Sequence, residues 1–214
     1  MIEISWSAKE VGAMLGLLVL VGFGVVVAVV RQAIGGGDTA ARRAGANAEA
    51  RVARRLRRMG RSITVWNDVR IRAGRRTSQI DHVVWTPRGL VLIETKHWAG
   101  HLHIISPTEW AQDNGRRRRV MHSPEHQSNY HEQVMREVLR GHGLGSTPLT
   151  SIIVLTHPAS RIHGHPAVPC VRLGHLRRWL RPYMQPDPGL SMPTPDQLAA
   201  LWSGDGVPER VNRG

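Results

Sequence analysis

The longest apolar run of this chain is residues 11–30, which contain no charged side chain. Twenty residues of helix span about 30 Å, the hydrocarbon core of one bilayer, so the run predicts a transmembrane helix. A cleaved signal peptide is the competing interpretation, but the run is too long and residues 1–10 hold two Glu against one Lys. One basic residue, Lys9, precedes the run, whereas Arg31 and further arginines follow it. This asymmetry predicts a cell-membrane protein whose C-terminal domain faces the cytoplasm.

Two groups of glycines mark the N-terminal organisation. Gly12 and Gly16 form a GxxxG pair in the apolar run, a spacing that lets two membrane helices pack as a homodimer. The alternative is that Gly is simply frequent in membrane helices. Three Gly at residues 35–37 predict a flexible linker. The expected order is a short extracytoplasmic N-terminus at residues 1–10, a single-pass transmembrane helix at 11–30, a linker at 31–38, a folded domain at 39–182 and a C-terminal tail with a short helix at 183–214.

Beyond the linker, apolar positions alternate between helical and strand spacing. A stripe at helical spacing after Asp38 predicts a first helix, and Ser123-Pro124-Glu125 is typical of the start of a second. Strands are expected at residues 62–71, 79–86, 89–96, 100–105 and, buried on both faces, 151–156. Trp110 is expected to open a further hairpin with its tip at Asn114-Gly115. The order helix, strand, hairpin, strand, helix, strand predicts an α/β sandwich with a mixed sheet.

The hairpin around Thr86-Pro87-Arg88-Gly89 carries the most specific pattern. Pro suits the second position of a type I turn and Gly the fourth. The register that pairs Thr86 with Gly89 places Asp81 opposite Glu94 and Gln79 opposite Lys96. Alternation along the strands then points these four side chains to one face. A bulge in the turn would shift this register by one residue.

Two facing carboxylates destabilise a sheet unless something positive lies between them. A divalent cation with oxygen ligands is the simplest candidate. Lys96 would reach the same position, and it is one of only two Lys in a chain that has 27 Arg. Lys can orient or activate a water, whereas Arg remains charged. The alternative is a solvated sheet face, on which the pair of Asp81 and Glu94 costs little.

Glu49 interrupts the apolar stripe of the first helix, which Gly45, Val52, Ala53 and Leu56 form. A carboxylate on a packing face is unusual unless it is paired or binds a metal. Glu49 is therefore either a third acidic group directed at the site or the partner of one of the many arginines.

The net charge of +13 and the pI near 11.6 favour polyanionic partners, either nucleic acid or an anionic membrane surface. The single cysteine, Cys170, excludes an internal disulfide and any metal site that needs several Cys ligands. Basic loops are the candidate phosphate contacts, although anionic lipid is an equally good ligand for them. These loop residues are Arg75, Arg76, Arg116, Arg117, Arg118 and Arg119.

Asp81 followed by Glu94-Thr95-Lys96 resembles the D…(D/E)-x-K signature of the restriction-endonuclease-like nucleases. A longer series, over about residues 38–156, resembles the nuclease-related domain, NERD. Small departures occur at Ser123 and His97, where Asn is frequent. The series comprises Gly45, Glu49, Gln79-Ile80-Asp81, Glu94-Thr95-Lys96, Gly100, Trp110, Pro124, Gln127 and His131.

The resemblance implies a fold and a set of residue roles. The fold is a restriction-endonuclease-like α-β-β-β-α-β core with a mixed sheet, here preceded by one transmembrane helix. Lys96 would position and polarise the attacking water, supported by Gln79. Gln127 and His131 would lie near the substrate backbone or orient a ligand, and a purely structural bond is the alternative for His131. The ligands of Mg²⁺ or Mn²⁺ would be Asp81, Glu94, the backbone carbonyl of Thr95 and, directly or through water, Glu49.

The function expected from these roles is that of a membrane-anchored nuclease. It would hydrolyse phosphodiester bonds with low sequence selectivity, because no segment resembles a base-reading element. Nucleic acid, with DNA favoured over RNA, and membrane lipid are the expected partners. The alternative is a noncatalytic, membrane-tethered module that binds nucleic acid or anionic lipid.

Overall fold

The computed structural model of the chain describes residues 39–60 and 62–202. The apolar run at residues 11–30, the GxxxG pair and the linker lie outside these residues. Within the described part, no helix has the length and apolar character needed to cross a membrane. The chain divides between Ala44 and Gly45, and the architecture below belongs to the unit that begins at Gly45.

Four helices and nine strands make up the described chain. The helices are α1 at residues 39–57, α2 at Pro124–Gly141, α3 at Leu176–Leu180 and α4 at Pro195–Ala199. The strands are β1 at Thr64–Ala73, β2 at Arg76–Thr86, β3 at Gly89–Lys96, β4 at His101–Ile104, β5 at Glu109–Asp113, β6 at Arg118–His122, β7 at Leu149–Leu155, β8 at Arg161–His163 and β9 at Cys170–Arg172.

The central sheet has five strands in the order β1-β2-β3-β7-β9. The first three strands are antiparallel, whereas β7 runs parallel to β3 and β9 runs parallel to β7. The prediction of a mixed α/β fold with a mixed sheet is therefore confirmed. The strand at residues 100–105 and the hairpin after Trp110 belong to a second sheet of four strands, β6-β5-β4-β8, which was not predicted. Strands β4, β5 and β6 and helix α2 lie between β3 and β7 in the chain, whereas β8 follows β7.

Helices cover both faces of the central sheet because β3 alternates between them. Leu90 and Leu92 pack against α2, and Val91 and Ile93 pack against α1 and α3. We call these two clusters the α2-side core and the α1-side core. The α2-side core also includes Trp66, Val69, Ile80, Val83, Leu198, Leu201 and Trp202.

The C-terminal segment is part of this core. Helix α4 begins with a capping box, in which Thr194 and Gln197 exchange hydrogen bonds. Trp202 packs edge-on against Trp66, with ring centroids 5.6 Å apart. The chain thus contributes to the folded domain as far as Trp202, beyond the expected boundary at residue 182.

Candidate active site

The β2–β3 hairpin has the register that its turn predicts. Paired residues run from Thr86 and Gly89 to His82 and Ile93, and the next pair in this register would be Asp81 and Glu94. The backbone ladder stops before that pair. Instead, the carboxylate Oδ2 of Asp81 accepts a hydrogen bond from the backbone N–H of Thr95 at 2.7 Å, which holds the carboxyl group at the end of β3.

Glu94 is buried and has a partner at each carboxylate oxygen. Its Oε1 lies 2.5 Å from Nζ of Lys96 and its Oε2 lies 3.2 Å from Nε2 of His131. Nδ1 of His131 in turn lies 2.5 Å from Oγ of Ser78. Burial by itself would raise the pKa of Glu94, but hydrogen bonding to His131 and the charge of Lys96 lower it below its ordinary value. Glu94 is therefore an ionised carboxylate that two neighbours orient.

Lys96 and Gln127 meet beside Glu94. The ammonium group of Lys96 donates a hydrogen bond to Oε1 of Gln127 at 2.9 Å and lies 5.6 Å from the ring centroid of Trp98. Gln127 and His131 are four residues apart on α2, so they project from the same face of the helix. The structure thus brings both helix residues, which the family resemblance singled out, to Lys96 and Glu94.

Strands β1 and β2 share an irregularity next to this cluster. Side chains three positions apart on a regular strand point to opposite faces, yet Ile80 and Val83 both lie in the α2-side core. The same is true of Trp66 and Val69 on β1. Between these two residues, Asp68 has a φ of 52°, in the left-handed region that Asp tolerates better than most residues.

Ser78 and Ile80 both point to the α2 side, where Glu94 lies, so Gln79 between them points to the other face, and the prediction of one common face is wrong for Gln79. Its side-chain amide donates a hydrogen bond to Asp68. Gln127 of α2 contacts Lys96, the partner that the sequence assigned to Gln79. The physical reason is that facing irregularities in two strands reverse the alternation on which the prediction depended.

Asp68 is a functional candidate that the sequence analysis missed. The β1–β2 register places it opposite Asp81, at a position where the ladder skips a pair. Its charge contributes to a raised pKa at Glu49. The sequence did contain a signal for Asp68. Asp is depleted in strands, so an Asp inside a predicted strand indicates a special position.

Glu49 lies at the edge of the same acidic cluster. Burial raises its pKa first, and the charges of Asp68 and Glu94 raise it further, against the opposing effect of Lys96. Its position in the sequence had suggested that Glu49 packs within the apolar stripe of the helix. In the structure the residue is exposed instead. It pairs with no arginine in the described part of the chain, so the ion-pair interpretation finds no support.

Asp81 carries the least favourable charge of the cluster. Burial is the largest cause of its raised pKa, followed by the charge of Glu94. The Thr95 N–H lowers the pKa and the charge of Glu49 raises it, and the net value is about 8. Such a carboxyl group gains most from a nearby cation, because a cation offsets both the burial and the repulsion.

We expect Asp81→Asn to stabilise the metal-free protein by about 1–3 kcal/mol at pH 7, because the amide keeps the acceptor for Thr95 and needs no proton, whereas Asp81, with a pKa of about 8, has to take up a proton on folding. A raised folded-state pKa destabilises the fold as pH rises from the unfolded value near 3.8 towards about 8. The gain should therefore be small at pH 4 and grow up to pH 8. Thermal unfolding in EDTA at several pH values measures it.

Asp187→Asn is the matched control, because Asp187 is a half-exposed carboxylate paired with Arg88 at 3.0 Å. Its small effect should not grow with pH in this way. An Asp81→Asn protein that is less stable than wild type at every pH would contradict the prediction.

The donors of the cluster fit a hard divalent cation in chemical kind. They are carboxylate oxygens, the ligands that such cations prefer. In their present positions, no three His, Cys, Asp or Glu of the described chain form a group that could hold a metal ion. Two of the carboxylate oxygens already have partners: Lys96 binds Oε1 of Glu94, and the N–H of Thr95 binds Oδ2 of Asp81. Lys96 has to leave Glu94 Oε1 before that oxygen can bind a cation.

The basic loop residues predicted to bind nucleic acid do not contact this cluster. Arg76 forms an ion pair with Glu137 at 2.7 Å. Arg75 is exposed in the β1–β2 turn, and Arg116–Arg119 are exposed on the β5–β6 hairpin of the second sheet.

A mixed α/β fold that gathers carboxylates and one lysine at the end of a strand fits the pattern of restriction-endonuclease-like nucleases that the sequence resembles. The family model of the nuclease-related domain, NERD, matches residues 44–156, more than half of the 214 residues. The chain belongs to the NERD family. No curated protein and no solved structure matches the chain at a significant level.

Proposed function

We propose that this protein is a metal-dependent nuclease that hydrolyses phosphodiester bonds with low sequence selectivity. One observation carries the proposal: a buried, ionised Glu94 holds Lys96 and lies close enough to Asp81 to raise the pKa of that carboxyl group, in a chain of a nuclease-related family. Strong pKa shifts that arise from burial together with specific charged neighbours are typical of functional sites.

Each side chain of the cluster has a proposed role. Asp81, Glu94 and Glu49, with the backbone carbonyl of Thr95, would hold Mg²⁺ or Mn²⁺. When bound, this ion supplies positive charge that offsets the charge developing on the phosphate.

Lys96 orients the attacking water and stabilises the hydroxide that forms from it. Gln127 holds the ammonium group in place through its side-chain carbonyl. His131, bonded to Ser78, fixes the orientation of the Glu94 carboxylate.

Membrane anchoring is the second part of the proposal. Residues 11–30 would span the membrane, as a homodimer if Gly12 and Gly16 pack together, and the folded domain would face the cytoplasm. Alkaline extraction and protease accessibility of a C-terminal tag test this topology. Release of the protein at alkaline pH, or protection of the tag on the extracytoplasmic side, would contradict it.

The test of the function is digestion of a mixed panel by the full chain, purified in mild detergent. The panel contains single- and double-stranded DNA and RNA, with DNA the favoured substrate. We expect cleavage that requires Mg²⁺ or Mn²⁺, stops in EDTA and is lost in Asp81→Asn and Glu94→Gln. Glu137→Gln, a carboxylate change at the surface pair with Arg76, should cleave normally. Binding without cleavage under every metal condition would instead support the noncatalytic module.

A further inference from the structure

A cavity of about 630 Å³ lies between α1 and the end of β9, and its charged lining residues are cations. Four of its arginines are spaced at i, i+3, i+4 and i+7 along α1 and the residue that follows it, so they lie on one side of this segment. Thr156, His157 and His175 also line it. The arginines are Arg51, Arg54, Arg55, Arg58 and Arg172.

These arginines have no acidic counterpart. No carboxylate lines the cavity, and the ion pairs of the described chain involve other residues. Arg172 donates a hydrogen bond to the backbone oxygen of Ser160 at 2.8 Å, which fixes one guanidinium group in place. Like charges gathered in a concave site repel one another more than on an open surface. An anionic ligand would remove that repulsion.

The cavity adjoins the candidate active site through Thr156. The backbone N–H of Thr156 donates to the carbonyl oxygen of Lys96 at 3.0 Å, and its hydroxyl lies 2.8 Å from Nδ1 of His97. Lys96 ends β3 and Thr156 directly follows the neighbouring strand β7, so the cavity starts where the strand that carries the cluster ends. Helix α1 carries Glu49 and, from the next turn onward, the arginines of the cavity.

We propose that this cavity binds the phosphodiester backbone of the substrate next to the bond that is cleaved. The inference rests on the proposed nuclease function and adds to it the path of the substrate. Guanidinium groups bind phosphate oxygens in pairs, and contacts to phosphate fix the position of a strand without reading its sequence. The path lies along α1, not along the loops at Arg75–Arg76 and Arg116–Arg119.

The test measures binding with cleavage removed. Full-length Asp81→Asn protein is titrated into labelled single-stranded and duplex oligonucleotides of DNA and RNA, and fluorescence anisotropy is recorded over a range of NaCl concentrations. In this background, Arg54→Gln/Arg58→Gln removes two exposed charges from the cavity, and Gln preserves the helix. The matched control is Arg88→Gln/Arg140→Gln. It removes the same charge at the end of the sheet away from Lys96, since Arg88 lies in the β2–β3 turn and Arg140 near the end of α2.

The cavity double variant should lower affinity at least about tenfold at low salt and reduce the slope of log Kd against log [NaCl] by about 1.5 to 2. The control should change affinity less than about threefold. Equal losses in both variants, or no loss in the cavity variant, would overturn the proposal. Circular dichroism checks that both variants fold.

Two further probes separate other anionic ligands. The probes are ATP and phosphatidylserine vesicles. If binding of one of them depends on Arg54 and Arg58 and oligonucleotide binding does not, the proposal is overturned in favour of that ligand. The wild-type cleavage assay is independent of this experiment. If wild type does not cleave but the cavity variant selectively loses oligonucleotide binding, only the nuclease function is refuted. If wild type cleaves and the cavity variant binds as well as its parent, only the cavity proposal is refuted.

Discussion

Replacing Lys96 by Met should lower the rate of phosphodiester cleavage by about 10²–10⁴-fold, while nucleic-acid binding changes less than about threefold. Met keeps an unbranched apolar chain beside Trp98 but has no ammonium group to orient water. The loss should therefore appear in kcat. Single-turnover cleavage at saturating substrate, together with binding measured by anisotropy in EDTA, separates the two effects.

Two glutamines provide a sharper control for this result. Gln127 contacts Lys96, whereas Gln79 is bonded to Asp68. Gln127→Leu should lower kcat about tenfold, in line with the loss of a positioning hydrogen bond, and Gln79→Leu should lower it less. A larger loss in Gln79→Leu, or near-normal kcat in Lys96→Met, would contradict the roles proposed for these residues.

Replacing Glu125 by Ala should lower the free energy of unfolding by about 3–5 kcal/mol, the cost of removing one partner from a buried, charged hydrogen-bond network. The buried Glu125 carboxylate accepts hydrogen bonds from Nε1 of Trp110 at 3.0 Å and from the backbone N–H groups of Ala167 and Val168, at 2.5 and 3.0 Å. The substitution leaves these three donors without an acceptor, and two of them, on Trp110 and Val168, are buried. Urea unfolding followed by tryptophan fluorescence measures the change.

Glu109→Ala, at an exposed position on β5, is the control and should change stability by less than about 0.5 kcal/mol. Glu125→Gln keeps one acceptor oxygen and should fall between wild type and Glu125→Ala. If Glu125→Ala unfolds at the same urea concentration as Glu109→Ala, Glu125 is not the link between α2, β5 and the segment before β9.

The parts of the fold that the sequence predicted depend on local patterns. The β2–β3 register followed from the turn residues at Pro87 and Gly89, and the start of α2 from Ser123 and Pro124. The local signature around Glu94 and Lys96 likewise identified residues that the structure brings together.

The parts that the sequence did not predict depend on contacts between distant segments. The position of Gln79 depends on paired irregularities in β1 and β2, which no single strand pattern reveals. The second sheet was missed because its short strands β4 and β8 pair across about 60 intervening residues. The arginine spacing on α1 was visible, but the cavity also needs Arg172 from the far end of the chain.

The parallel pairing of β3 with β7 has a consequence for the protein during its own synthesis. Glu94 and Lys96 lie on a strand whose second neighbour comes more than 50 residues later, at Leu149–Leu155. The segments that form α2 and β7 must therefore emerge from the ribosome before β3 can pair with both of its neighbours. The cluster around Glu94 therefore assembles only after most of the chain has been synthesised.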